Sequence, residues 1–428
     1  MNRTFLLLVF IILMMASHAQ SNYYAETTAW LNKNVIPLKT VKAENGFEDL
    51  KPLDSLIGVA RIVELGECTH GSSEVFSMKH RMLEYLVKEK GFTIFSIEAN
   101  MPEAYALNQY IIEGKGDSRK LLAGMYFWTW NTQEVLDMIE WMKKYNETAT
   151  KKIMFTGFDM QFPETSIKIV RAYADTHQTS LLPIIDEYDS TSRHLHKVGK
   201  WFKTKLKKDD AEDFGTLADS LVNNIQNSTS LVKDTAFEWA LQNARILLQY
   251  SQHLNKGPNR DECMAENIKW IANQNPEAKI VIWAHNGHVS KAPDKWGAIK
   301  MGGHLLKTFG KKMVVIGFTT EEGTYTAYNR DKSSLDSANV LRASKEGSCE
   351  YIFRTADADN FIIDLRNSSM TDKATSWMFE KPLIRHIGAI ANDKYQFMNT
   401  DLNKDYDMLI FLRKTNASKC FVINYKKE

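Results

Sequence analysis

RIVELGECTHGSSEVFSMKHRMLEYLVKEKGFTIFSIE, residues 61–98, reads as strand, helix and strand in turn. The two ends, RIVELG (61–66) and FTIFSIE (92–98), are nearly continuous in apolar residues, as strands buried on both faces are. Between them Val75, Met78, Met82, Leu86 and Val87 recur at helical spacing, and Gly91 fits a helix stop. Similar apolar runs follow at KIMFTG (152–157), KIVIWA (279–284), KMVVIGF (312–318) and DMLIFL (407–412). Strands alternating with helices predict an α/β fold, with a mainly parallel central sheet flanked by helices.

Residues 166–259 break that rhythm. They hold no convincing strand, and LADSLVNNIQ (217–226) and DTAFEWALQNARILLQYSQHL (234–254) are helical patterns. The expected organisation is therefore an α/β core over 20–165 and 260–320, interrupted by a helical insertion at 166–259. Residues 321–428 are expected to form a smaller α+β C-terminal lobe whose last strand returns to the core. A chain of 428 residues suits two or three such units.

Residues 1–19 read as a secretory signal. Arg3 precedes the apolar run FLLLVFIILMM (5–15), and the small residues of SHA (17–19) follow. The expectation is cleavage near Gln20, a periplasmic or secreted protein, and no stable membrane insertion afterwards. Net charge is +2 with no basic or acidic block, so nucleic acid is not expected as a partner. Four widely spaced cysteines contain no CxxC. In an exported protein, Cys349 and Cys420 are the first pair to check for a disulfide.

In an open parallel sheet, ligands bind beyond the carboxyl ends of the strands. Four predicted strands end in ionisable groups: Glu67 and His70 after the first, Glu98 at the second, Asp159 after the third, His285 and His288 after the fourth. Together they predict one shared site. Asp159 is read as the N-cap of the next helix. Arg81 is placed on a solvated helix face. Trp128 and Trp130 are packing residues or a cleft wall, and Arg260 is a candidate grip for substrate. Cys68 and Thr69 are read as structural.

The chain has no G-x-S-x-G elbow, no H-E-x-x-H helix and no phosphate-binding glycine loop. Two chemistries remain open for this residue set. A histidine can activate water directly, oriented by a carboxylate, or His and carboxylate can hold a divalent metal.

GECTHGSSEVFSMKHRMLEYLVKEKGFTIFSIEAN (66–100) resembles the erythromycin esterase family, which includes macrolide esterases and succinoglycan-biosynthesis-like proteins. FWTWNTQEVLDMIEWMKKYN (127–146), GFDMQ (157–161), RDECMAENI (260–268) and AHNGHVSK (284–291) continue the resemblance in family order. It implies hydrolysis of a small-molecule carboxylic ester or macrolactone by His-activated water, without a covalent acyl-enzyme and without an obligatory cofactor. It places the general base on His70, its supporting glutamate on Glu67, a second acid on Glu98 and the paired histidines on His285 and His288. Lys79, His80, Trp128 and Arg260 become candidate substrate contacts. Some macrolide esterases have arginine where this chain has Lys79, which keeps the charge but not the bidentate fork. Two alternatives are a metal-dependent hydrolase using the same residues and a non-catalytic protein of envelope-polysaccharide biosynthesis.

Overall fold

The computed structural model describes residues 24–198, 208–228, 232–254, 259–392 and 394–421, so the expected signal segment lies outside the described residues. The chain divides into two compact units. The first draws on the described residues within Met1–Phe95, Tyr126–Ile153 and Glu277–Glu428, and the second on Ser96–Met125 and Met154–Pro276. In chain order the strands are β1 (Ile36–Pro37), β2 (Ile62–Leu65), β3 (Ile94–Asn100), β4 (Met154–Asp159), β5 (Ile280–Trp283), β6 (Met313–Asn329), β7 (Ser334–Val340), β8 (Asn360–Asp364), β9 (Leu383–Arg385), β10 (Phe397–Asn399) and β11 (Met408–Thr415).

In the first unit the sheet runs β1-β8-β11-β6-β2-β5. The pairs β2/β5, β2/β6 and β6/β11 are parallel, while β8/β11 and β1/β8 are antiparallel. The expected α/β class, mainly parallel with flanking helices, is observed, and the antiparallel members make the sheet mixed. Every residue of β2 and β5 is buried, which is why, Glu64 apart, their sequences are apolar without alternation. The register sets Leu65 against Trp283. Glu67 and His285 therefore lie two residues beyond a matched pair, just past the ends of neighbouring parallel strands. The C-terminal segment supplies β8 and β11 to this same sheet, and β11 covers the predicted run 407–412.

The helix Ser73–Lys90 follows β2 at once. Ser72 caps it, its hydroxyl accepting from the Val75 amide at 3.3 Å, and Gly91 ends it in the left-handed conformation at φ 70°. Gly71 has to be glycine, because a Cβ there would overlap the Thr326 backbone on β6.

This helix is buried almost all round, and that corrects the expectation for Arg81. Its guanidinium is 1 % exposed and holds Asp49 at 2.5 and 3.0 Å, with the Thr40 and Gly46 carbonyls each at 2.7 Å. Four polar contacts to the 40–49 segment compensate its burial, as a buried charge requires.

In the second unit the helices Glu164–His177, Leu182–Val198, Lys208–Gln226 and Thr235–Leu254 share one apolar cluster, with Ile167, Tyr188, Phe214, Leu221, Phe237 and Leu247 at its centre. Tyr188 stacks on Phe214 at 4.4 Å, and its hydroxyl donates to the Leu247 carbonyl at 2.9 Å. These helices fall in the stretch that the sequence reads as strand-free.

Cys349 and Cys420, the first pair to check for a disulfide, are not joined; all four cysteines are free. Cys420 instead approaches the Ser418 hydroxyl at 3.6 Å and the Trp128 carbonyl at 3.9 Å. Among the described residues no helix is long and apolar enough to cross a membrane.

Candidate active site

Glu67 is the hub of the first unit's polar cluster. It is fully buried and accepts three hydrogen bonds: from His70 Nδ1 at 2.6 Å, Lys79 Nζ at 2.9 Å and Trp283 Nε1 at 2.6 Å. A carboxylate only accepts, so His70 Nδ1 carries the proton and Nε2 presents its lone pair. The His70 side chain keeps 13 % of its exposure, so water can reach it. Its ring stands edge-on to Trp130, 6.1 Å between centres, and 4.9 Å from His285. Here Trp130, not Trp128, is the aromatic neighbour of His70. Trp128 is half-buried against the cluster of Tyr325, Ala327, Leu341 and Ile387.

Lys79 was expected to contact substrate, and its place corrects that. The side chain is fully buried, with its ammonium on Glu67 and 4.4 Å from the Trp283 ring centre. Its anionic partner is the protein's own carboxylate. His80, the next residue, is turned about a quarter of the way round the helix. It packs on Trp141 at 5.5 Å, and burial lowers its pKa to about 4. It lines a cleft of about 600 Å³ with Lys42, Asp137 and Glu140.

His285 is also placed differently from expectation. The Gly287 amide donates to its Nδ1 at 3.1 Å, so the proton sits on Nε2, which donates to the Ile387 carbonyl at 3.1 Å. Both ring nitrogens serve the backbone. His285 caps the short helix Asn286–Val289, whose His288 is half-buried. Its two ring nitrogens tie the 285–287 turn to the Ile387 carbonyl.

The sequence reading missed His386. It follows β9, and its neighbour Ile387 is tied to both loops of the site. The Ile387 amide donates to the Cys68 carbonyl at 2.7 Å, while its carbonyl accepts from His285. The His386 ring stands edge-on to His285, 4.5 Å between centres. Burial, then the charges that His288, His70 and Lys300 would bring, lower its pKa to about 4. At neutral pH it is an uncharged imidazole with an N–H to offer. The only sequence signal was a histidine directly after the short segment PLIR (382–385), whose Leu383 and Ile384 are apolar.

Glu98, Asp159 and Arg260 form a cluster in the second unit. Arg260 Nη2 donates to Glu98 Oε1 and Asp159 Oδ2, each at 2.7 Å, and Nε lies 3.1 Å from Asp159 Oδ1. Asp159 also accepts from the Met160 amide at 2.9 Å and the Gln161 side-chain amide at 2.6 Å. The expected N-cap role of Asp159 is therefore overturned. The helix Glu164–His177 begins at Pro163 with no side-chain cap. Arg260 opens the helix Arg260–Gln274, as read, but two carboxylates of its own unit hold its guanidinium.

Two neighbouring thiol and hydroxyl groups fail as nucleophiles. Burial pushes the Cys68 thiol up to about 12, leaving no thiolate at neutral pH. The Ser72 hydroxyl is bonded to that of Thr415. Among the described residues no three His, Cys, Asp or Glu side chains are grouped to hold a metal ion.

The sequence model of the family described as erythromycin esterase matches residues 87–415. The chain is 25 % identical over 436 residues to erythromycin esterase type II of Escherichia coli, covering 91 % of this chain and 98 % of that protein. It is 24 % identical over 427 residues to the putative hydrolase YbfO of Bacillus subtilis strain 168, covering 91 % of each. Among solved structures, a Bacillus cereus protein matches with a TM-score of 0.82 at 31 % identity, over 93 % of this chain and 99 % of that one. A succinoglycan biosynthesis protein matches at 0.76 and 30 % identity, over 94 % and 98 %. An erythromycin esterase mutant, EreC in its open conformation, shares the fold at 0.68 and 17 % identity, over 89 % and 96 %. The chain belongs to the erythromycin esterase family.

Proposed function

We propose that the protein hydrolyses a small-molecule carboxylic ester or lactone by attack of a water that His70 activates. The observation that carries this reading is the 2.6 Å contact between His70 Nδ1 and Glu67, which fixes the ring and leaves Nε2 open. His70 Nε2 takes a proton from water as the new C–O bond forms, and the carbonyl π pair moves onto oxygen. Glu67 stabilises the imidazolium, as an orienting carboxylate does in other acid–base pairs. His386, uncharged and with its N–H available, donates a hydrogen bond to the oxyanion. Collapse expels the alkoxide, which recovers the proton from His70. Trp283 and Lys79 act through Glu67, and His285 acts by anchoring Ile387 beside His386. Glu98 enters through its own variant: Glu98→Gln tests whether the carboxylate that Arg260 holds serves the same reaction.

A metal-dependent route would draw ligands from Glu67 and His285. Three donors occupy the Glu67 oxygens, one of them an ammonium, and backbone groups occupy both nitrogens of His285. That donor set favours activation by His70 alone. The test is a panel of esters and lactones, macrolides included, assayed with and without a chelator. Hydrolysis of at least one member, unchanged by chelator, is expected. No turnover across the panel, or turnover abolished by chelator and restored by a divalent metal, would overturn the reading. A periplasmic or secreted location belongs to the same proposal and is read by fractionating cells that express the full chain.

A further inference from the structure

The chain contains two Asn–Gly pairs, Asn45–Gly46 and Asn286–Gly287. This dipeptide carries a latent reaction. The glycine nitrogen, with no Cβ beside it, can reach the asparagine side-chain carbonyl carbon and close a five-membered ring. Two conditions control it. The glycine N–H has to be free to lose its proton, and the asparagine side chain has to be free to swing onto the nitrogen.

The structure separates the two pairs on both conditions. Asn286 is buried, and β6 holds its side chain. Its Nδ2 donates to the Phe318 carbonyl at 2.7 Å, and its Oδ1 accepts from the Phe318 amide at 3.1 Å. The Gly287 amide donates to His285 Nδ1 at 3.1 Å. Both reacting groups are engaged. Asn45 and Gly46 are exposed, in a turn where Glu44 and Gly46 have left-handed φ of 60° and 75°. Among the described residues the Gly46 N–H meets no acceptor. The Asn45 side chain makes one local contact, from Nδ2 to the Ala43 carbonyl at 2.7 Å, and that contact is exposed. Water replaces an exposed hydrogen bond at little net cost.

The turn also has a structural task. The Gly46 carbonyl accepts from the buried Arg81 guanidinium at 2.7 Å, and Thr40 and Asp49 complete that clasp. On the other side of Asn45, the Glu44 amide donates to Glu84 Oε2 at 2.7 Å. Asn45 therefore lies between two anchors to the helix Ser73–Lys90.

We propose that Asn45 is a site of spontaneous modification, where deamidation through a cyclic imide yields an isoaspartyl residue that loosens the Arg81 clasp. The Gly46 nitrogen gives up its proton and attacks Asn45 Cγ. The N–Cγ bond forms, the Cγ–Nδ2 bond breaks, and the amide leaves as ammonia with that proton. Water then opens the imide at either carbonyl. One opening gives aspartate, and the other gives isoaspartate, whose main chain passes through Cβ and Cγ. The second product lengthens the backbone by one bond between the two anchors. It also adds a carboxylate to a segment that already carries Glu44, Glu48 and Asp49.

The reaction needs only water, so its test does not depend on any ester being cleaved. The purified full chain is stored for several weeks in mildly alkaline buffer and digested with trypsin. The 43–61 fragment should gain the mass that replaces an amide by an acid, and should accept methyl groups from a protein isoaspartyl methyltransferase. The 280–291 fragment, which carries Asn286, should stay unmodified. Asn45→Gln, whose longer side chain disfavours the ring, should leave 43–61 unmodified as well. Stored wild type should lose about 2 °C or more in Tm, the scale of one weakened contact in a large domain, while stored Asn45→Gln keeps its Tm. An unmodified 43–61 fragment, deamidation without isoaspartate, or equal modification of Asn286 would overturn the proposal. So would isoaspartate formation with Tm unchanged, or an equal Tm loss in stored Asn45→Gln.

Discussion

The Lys79 ammonium lies 2.9 Å from Glu67 Oε2, and both side chains are fully buried. The pair fixes the Glu67 charge where water cannot reach it, and the other oxygen of the same carboxylate holds His70. Removing one partner leaves the other uncompensated, which costs about 3–5 kcal/mol in buried pairs. Lys79→Met should lower stability on that scale in denaturant unfolding and reduce kcat with it. Glu67→Gln with Lys79→Met removes both charges and should recover part of the stability but none of the activity. Full activity in the double variant would show that Glu67 does not serve the base.

His386 and His285 separate in the same way by experiment. His386→Gln keeps an N–H donor and His386→Ala removes it. The account expects His386→Ala to lose about 10²–10³ in kcat, the scale of one oxyanion donor, with Tm little changed and partial rescue by glutamine. The His386 pKa is lowered to about 4, so its own protonation lies below the working range and neither variant should move the acid limb of the pH–rate profile. His285→Ala should instead lower Tm, because two backbone partners lose their hydrogen bonds, at about 1–3 kcal/mol for a buried group left unpaired. Equal activity losses with equal Tm losses in the two variants would contradict this division.

His80 gives a prediction on stability alone. It is 8 % exposed, its Nε2 has no protein partner, and burial lowers its pKa from 6.5 to about 4. Above its unfolded value both states are neutral and the residue contributes no pH dependence. Below it the unfolded chain takes up a proton that the folded chain refuses, so stability falls as the pH falls towards the folded value. The slope from this residue is at most about 1.4 kcal/mol per pH unit. His80→Gln should flatten that part of the Tm–pH curve, and an unchanged curve would show that His80 is not held neutral.

What the sequence made legible follows from the range of the interactions. The strands were readable because burial on both faces leaves mainly apolar residues, as in IVIW and, Glu64 apart, IVEL. Glu67 and His70 were readable as a pair because they lie only three positions apart in one short loop. Arg81 was not, because its partner Asp49 lies outside the helix and nothing in the helix pattern marks a buried cation. Arg260 and Asp159 are 101 positions apart, so the ion pair that replaces the expected N-cap has no local signature. His285 stood out for its motif, yet its role is set by Ile387, which follows the unremarked His386. Local pattern located the polar residues, and contacts distant in sequence set their partners.

The most direct test of the central claim is the hydrolysis rate of His70→Ala against wild type on the best ester or lactone of the panel, with folding of the variant confirmed by its unfolding transition. The account predicts a loss of about 10²–10⁴ in kcat, the contribution of a positioned general base, with the fold intact. A folded His70→Ala that hydrolyses the same substrate at the wild-type rate would contradict it.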